Sequence, residues 1–353
     1  MQKSRVFRFT SFLIVVVLFS GGCSSKDMDN AESKDIVHQN QNPFELDEKD
    51  SVDLGNIGHG LVNPKLDENG KILPLSYDGG ELKIDYNVEA AGKAKNVGFL
   101  IFVDGIPQPY KFNSSEAPYE YMHNFDLKED NVNKTFSFIF TPVTGKRGDT
   151  LTVSITSVYN PAFIPDMKES SSYGNYHSTL ESVFSLDFNK DADTLDASSI
   201  PQYEYISNVR QSAEPITKEL MKTQEGFSTI DSEALEERVF SDLYIDDVNM
   251  AKRDNFQVKD SGTIHVTFKL FGHPGVKYRN TFYLNHKAIT SKDGNSFETV
   301  LAKGEAAVID LDIDLEKSED FNTFYVVSVP VNAADFPDDV VVSEKTMSKL
   351  LYK

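Results

Sequence analysis

The sequence predicts a mainly β protein: two tandem β-sandwich domains joined by a short, partly helical connector, after a leader and a disordered tether. Three observations predict it. Apolar residues recur at every second position in short runs separated by Gly, Pro, Asn and Asp, the pattern of half-buried strands. The same ordered series of runs appears twice. A basic and then apolar N-terminal stretch is followed by polar chain without periodicity. At 353 residues the chain suits about two domains of roughly 100–200 residues each.

Residues 1–8 (MQKSRVFR) form a basic segment, and residues 9–19 (FTSFLIVVVLF) an apolar core of 11 residues. That is short of the ~20 residues a bilayer-spanning helix needs, and it suits a signal peptide. Ser20, Gly21 and Gly22 then lead directly into Cys23-Ser24-Ser25. This stretch resembles the lipobox signal peptide of the bacterial lipoprotein family, although Ser20 stands where that family most often has an aliphatic residue. The resemblance covers roughly the first 25 residues. It implies cleavage before Cys23, diacylglycerol on its thiol, and lipid anchoring on the extracytoplasmic side of the cell membrane. Cys23 is the single cysteine, so the mature fold is expected to hold by core burial without an intramolecular disulfide. Left unmodified, a lone exported thiol would be open to oxidation and mispairing.

The formal net charge is −20, and losing Lys3, Arg5 and Arg8 with the leader makes the mature chain −23. Such a body repels phosphate backbones, so nucleic acid is not an expected partner. From Ser24 to about Gly60 the chain is rich in Asp, Glu, Asn and Gln and cannot bury enough surface to offset its ordering entropy. It reads as a tether behind the lipid.

Folded sequence is expected from Ile72. Leu82, Ile84, Tyr86 and Val88 alternate on one face of a strand, and residues 97–103 (VGFLIFV) run nearly continuously apolar to a turn at Asp104-Gly105. Phe136, Phe138 and Phe140 alternate, as do Leu151, Val153 and Ile155, and residues 180–188 read as a closing strand. The order then recurs. Residues 80–86 match 262–268 in apolar pattern, and Ile101-Phe102-Val103-Asp104 matches Phe282-Tyr283-Leu284-Asn285. Phe138 and Phe140 match Ile309 and Leu311, Ile155–Val158 match Val326–Val329, and Asn160…Phe163…Pro165-Asp166 matches Asn332…Phe336-Pro337-Asp338. The offsets of the five blocks run 182, 181, 171, 171 and 172, as a tandem duplication with one shorter middle loop would give. In size and strand spacing each copy resembles an immunoglobulin-like or fibronectin type III-like sandwich, without the Cys…Trp…Cys framework.

Between the copies, residues 214–222 and 232–240 have helical composition, with Asp231 or Ser232 as an N-cap and Leu235, Val239 and Leu243 on one helical face. This segment is expected to brace the two modules. The expected organisation is therefore signal peptide 1–22, lipidated Cys23 and acidic tether 23–71, first sandwich 72–190, connector 191–245 and second sandwich 246–353.

Chemistry-bearing patterns are sparse. Asp187, Asn189, Asp191 and Asp193 alternate like the opening of a calcium loop, but Ala192 stands where such a loop turns on glycine and Ser198 where an acid would close it. No cofactor is expected, with calcium at these four residues the one alternative. His38, His59, His123, His177, His265, His273 and His286 form neither HExxH nor an i, i+4 pair, and no GxSxG elbow occurs. Tyr110, Phe112, Tyr119 and Tyr121 gather in a Pro-containing loop that either binds a partner or covers a sandwich edge. No catalytic or metal-site residue is assigned. The expected function is a non-enzymatic envelope lipoprotein acting as a binding or spacer module for a partner not identifiable from sequence. The alternatives are an envelope hydrolase with a split active site and a transporter-associated solute-binding lipoprotein.

Overall fold

In a computed structural model, residues 56–353 are described apart from 93–95, 130, 163, 165–178, 196–198, 201, 224–229, 260 and 293. Cys23, the leader and most of the expected tether lie outside them, as do His38, His177 and Ser198.

The first module contains β1 (Asn56–Leu61), β2 (Leu75–Tyr77), β3 (Leu82–Ala91), β4 (Asn96–Val103), β5 (Ile106–Pro107), β6 (Lys111–Phe112), β7 (Asn124–Asp126), β8 (Lys134–Phe140), β9 (Thr150–Tyr159) and β10 (Thr179–Phe188). There follow β11 (Ile206–Pro215), α1 (Lys218–Thr223), α2 (Ser232–Glu237), β12 (Val239–Ile245), β13 (Val248–Asn249) and β14 (Asn255–Gln257). The chain closes with β15 (Thr263–Gly272), β16 (Lys277–Leu284), β17 (Lys287–Ala288), β18 (Phe297–Val300), β19 (Glu305–Asp314), β20 (Phe321–Pro330), β21 (Glu344–Lys345) and β22 (Lys349–Tyr352).

These strands make two β-sandwiches that share most of their topology. In the first, β1-β3-β8-β6 faces β2-β10-β9-β4-β5; in the second, β13-β12-β15-β19-β11 faces β14-β22-β20-β16-β17. Unusual features recur in both: β2 pairs β10 in parallel as β14 pairs β22, and β7 adds to β4 as β18 adds to β16. Strands β4, β5, β8 and β9 begin at 96, 106, 134 and 150, and β16, β17, β19 and β20 at 277, 287, 305 and 321. The spacing drops from 181 to 171 where the middle loop shortens, as the sequence offsets imply.

The alternating residues fill two separate cores. Ile84, Tyr86, Val88, Phe99, Ile101, Phe138 and Phe140 lie in the first; Ile264, Val266, Phe268, Phe282, Ile309, Leu311 and Phe324 lie in the second.

Two expected boundaries are corrected. The segment read as tether up to residue 71 already contains β1, paired along its whole length with β3. Gly58 and Gly60 remove the outward side chains that would have marked a strand, while His59 donates to or accepts from the Tyr86 hydroxyl at 2.6 Å. The segment read as connector, 191–245, supplies β11 and β12, both members of a second-module sheet. Asp231 caps α2 as expected, accepting from the Ala234 amide at 2.9 Å, but the helix ends at Glu237. Val239 and Leu243 therefore lie on β12, not on a helical face. Nor do the helices brace the modules: Leu220, Ile230 and Leu235 pack on Phe240 and Phe271 of the second module itself.

One core position carries an unexpected residue. Lys349 pairs with Phe324 as the core residue Phe184 pairs with Val153, so a lysine takes an aromatic's place. It is 3% exposed, and its Nζ donates to the carbonyls of Met250 and Arg253 at 2.8 and 2.7 Å. Burial holds its ammonium down at about 8, against the ordinary 10.5, with Asp254 and Asp242 opposing. As pH falls from 10.5 to 8 the unfolded chain gains a proton here that the native chain does not, so stability falls with it. Raising the pH across that window is expected to add up to about 3 kcal/mol from this residue. Lys349→Met should flatten that part of the rise, read by urea unfolding at a series of pH values; an unchanged slope would contradict this assignment.

Candidate functional site

The most distinctive feature is the seam between the sandwiches, built from strands buried on both faces. From Val97 to Val103 every residue of β4 is buried. Val97, Phe99, Ile101 and Val103 face the first core, while Leu100 and Phe102 face outward. With Tyr121 and Val158 they meet Tyr283, Ala288, Tyr325, Val327 and Val329, which face outward from the second module. The Tyr283 and Tyr325 rings stack at 5.1 Å and 11°, and Phe102 meets Tyr283 edge-on at 6.4 Å. Ile200 and Tyr203 of the intervening chain pack against the same cluster. This contact, rather than the expected helices, braces the modules.

Equivalent parts of the two copies meet here. Phe102 and Tyr283 hold the same place in β4 and β16, whose neighbours Ile101 and Val103, and Phe282 and Leu284, point into their own cores. The β4–β5 turn has Asp104 and Gly105 at φ 50° and 73°, and the β16–β17 turn has Asn285 and His286 at φ 49° and 63°, the geometry of tight hairpin turns. Each turn touches the other module just past the end of its long strand. Gly105 packs so closely on Val331 that a Cβ there would lie 2.9 Å from Val331 Cγ1. His286 Nε2 reaches the Pro161 carbonyl at 2.8 Å. The arrangement is a quasi-two-fold, the geometry of a self-complementary interface.

Among the described residues, three polar contacts cross the seam besides the hydrogen bond between Tyr121 and Asn295. Arg279 Nη1 donates to the Asp104 carboxylate at 2.6 Å and also to the Asp104 carbonyl. The Ser343 hydroxyl and amide donate to Glu181 at 2.6 and 3.2 Å. The third is His286, whose Nδ1 also lies 3.1 Å from the Tyr325 hydroxyl; burial keeps the ring neutral, lowering its pKa to about 4. Lys345 Nζ lies over the Tyr325 ring at 4.5 Å and is held down at about 7 by burial and then by Lys349. Sequence reasoning missed this site. Its one visible signal is the unbroken apolar run at 97–103, since a strand with one solvated face alternates.

The residues singled out from sequence go elsewhere. Asp187 accepts from the Thr150 hydroxyl at 2.6 Å, Asn189 donates to Ser76 and Asp78, Asp191 accepts from the Arg147 amide at 2.8 Å, and Asp193 from the Gly80 amide at 2.6 Å. These bonds pin the corner where β10 leaves the sheet. Among the described residues no group of three or more His, Cys, Asp or Glu is placed to hold a metal ion. Tyr110 is fully buried with its hydroxyl on the Phe99 carbonyl, Tyr121 lies in the seam, and Phe112 stacks on Phe125, so the aromatic loop covers the sandwich. His59 is buried against Tyr86 with its pKa lowered to about 4, His123 bonds the Tyr110 carbonyl, His265 bonds Asp312, and His273 lies 3.3 Å from Asp339. They are dispersed over both modules.

A cavity of about 530 Å³ is lined by Glu237, Arg238, Tyr278, Asp338, Val342 and Glu344 among others. A groove of about 350 Å³ runs under the exposed Ile72 and Leu73. No described helix is long and apolar enough to cross a membrane.

No family model and no curated protein matches the chain. Among solved structures, the C-terminal domain of the AgI/II polypeptide BspA of Streptococcus agalactiae aligns at 10% identity over 84% of this chain and 100% of that one, with a TM-score of 0.20. A chimeric titin Z1Z2-Z1Z2 tandem aligns at 10% identity over 79% and 96%, with a TM-score of 0.19. Collagen adhesin from S. aureus aligns at 5% identity over 85% and 93%, also with a TM-score of 0.19.

Truncating the seam should uncouple the modules. Phe102→Ala is expected to cost about 3–5 kcal/mol and to split one calorimetric transition into two. A single transition at an unchanged temperature would show that the seam contributes no coupling.

Proposed function

We propose that this chain is a non-enzymatic envelope lipoprotein, held on the extracytoplasmic face of a membrane by lipid on Cys23, that presents two sandwiches to an envelope partner as a binding or spacer arm of fixed geometry. The buried seam carries the second half of this reading. A tandem joined only by a linker would sample many inter-module angles, whereas nine buried side chains and three polar contacts hold these modules at one. The order of basic segment, 11-residue apolar core, small residues and a single cysteine supports the anchor. Two acyl chains, each methylene contributing about 0.8 kcal/mol, would hold the chain durably despite its acidic body.

Cys23→Ala is the direct test, made in a bacterium that processes lipoproteins. Diacylglycerol labelling should disappear, the leader should remain attached, and the lipid-dependent membrane pool should be lost. Normal cleavage before position 23 together with unchanged lipid labelling would refute the anchor. The arm is tested separately by small-angle scattering on the fragment from residue 56: one sharply defined inter-module distance is expected, and a broad distribution would refute it.

A further inference from the structure

One apolar surface of the second module is covered neither by its core nor by the seam. Residues 340–343 lie between β20 and β21. Val341 packs against the second core, whereas its neighbours Val340 and Val342 are 80% and 55% exposed. Exposed apolar residues scattered singly are ordinary, but these two line one cavity, the cleft of about 530 Å³ described above. The segment that carries them is tied down at two points. The Tyr278 hydroxyl donates to the Val342 carbonyl at 3.2 Å, and Ser343 is fixed to Glu181 of the first module. On that module Val183 is also exposed, two positions along β10 from Glu181 and on the same face of the sheet. Apolar surface thus stands on both sides of the Glu181–Ser343 contact.

The cleft is acidic. Among the described residues Glu237, Asp338, Asp339 and Glu344 line it against one cation, Arg238, whose guanidinium lies over the Phe240 ring at 5.3 Å. Glu344 accepts from the Ser241 hydroxyl at 3.0 Å, and burial pushes its carboxyl up, with Ser241, Lys345 and Arg238 opposing. The cations of the fold therefore do not fully offset its desolvation. Among the described residues no three acids converge as metal ligands do. Charge spread along a cleft suits several separate cations better than one ion. Basic side chains spaced along a polypeptide meet that requirement, and the valines call for apolar side chains between them.

We propose that this cleft is a docking surface for a cationic, apolar segment of a partner polypeptide. Lysine or arginine side chains of the segment meet Glu237, Asp338 and Glu344, and its apolar side chains cover Val340 and Val342. Attraction by the acidic body speeds the encounter, and the valines supply the part of the affinity that salt does not screen. The inference rests on reading the tandem as a binding module. The spacer reading stands or falls separately, on the fixed inter-module distance.

The test is fluorescence anisotropy on the whole mature chain carrying Cys23→Ser, with labelled octapeptides of alternating Lys-Val, Lys-Ser or Glu-Val. At physiological salt the Lys-Val peptide is expected to bind at least about tenfold more tightly than Lys-Ser, and Glu-Val not at all. Val340→Ser combined with Val342→Ser should erase the advantage of Lys-Val and leave the Lys-Ser affinity unchanged. Glu237→Gln combined with Asp338→Asn should weaken both lysine peptides and flatten their salt dependence. All four positions are exposed, so strand content by circular dichroism should be unaltered in either variant. The proposal is overturned if no peptide binds, or if Lys-Val and Lys-Ser bind alike. It is equally overturned if the valine replacements leave the Lys-Val affinity intact, the mark of general attraction to an acidic body.

Discussion

The rest of the molecule depends on burying the outward faces of β4 and β9 against those of β16 and β20. A large apolar side chain taken from water contributes about 1.5–3 kcal/mol, so the nine buried seam residues supply gross stabilisation on the order of 10 kcal/mol. That is comparable to the whole net stability of an ordinary domain, before ordering costs are subtracted. It explains why these strands are apolar on both faces. It also explains why the chain between the modules needs no helical strut: Ile200 and Tyr203 pack onto the seam, and the Thr290 amide and carbonyl bond Tyr203 and Ile206 to carry the chain into the second sandwich.

The quasi-two-fold accounts for details that look arbitrary in either copy alone. Gly105 and His286 occupy equivalent turn positions with positive φ, a conformation glycine adopts freely and histidine only at some cost. In the first module the glycine lets the turn approach Val331 and Arg279 closely; in the second the histidine recovers its cost through bonds to Pro161 and Tyr325. Glu181 pairs with Thr156 as Lys345 pairs with Val327, so equivalent strand positions now carry opposite charges. The two faces have become complementary rather than identical, as expected when both halves of an interface lie in one chain and can diverge.

The fold was largely legible because period-two alternation survives where identity does not. The blocks at 101–104 and 282–285, and at 155–158 and 326–329, mark strands whose inward residues enter corresponding cores. What failed did so for local reasons. Gly58 and Gly60 blanked the outward face of β1, and the polar composition of β11, an edge strand with exposed Ser207, Arg210, Gln211 and Ser212, resembled loop. Val239 and Leu243 suit a helical spacing as well as a strand, and only pairing with β15 decides between them. The seam was the least legible part. Sequence can show that a strand is apolar on both faces, but not whether its second face meets another sheet, a helix or a partner.

The cores, in contrast, tolerate large differences under one topology. The first is crowded with rings: Tyr86, Phe99, Phe112, Phe125, Phe136 and Phe138 form a continuous set of aromatic contacts. The second fills the same frame mainly with Ile, Leu and Val, and admits Lys349 where the first has Phe184. Cores accept such exchange when volume and pattern are kept. A joint has less latitude, because its residues must fit their own sheet and the facing module at once, and the polar groups at its rim must find partners across it. Whatever this tandem presents to its surroundings, the angle at which it does so is set by Phe102, Tyr283 and Tyr325 and by the three polar contacts around them, not by the packing inside either sandwich.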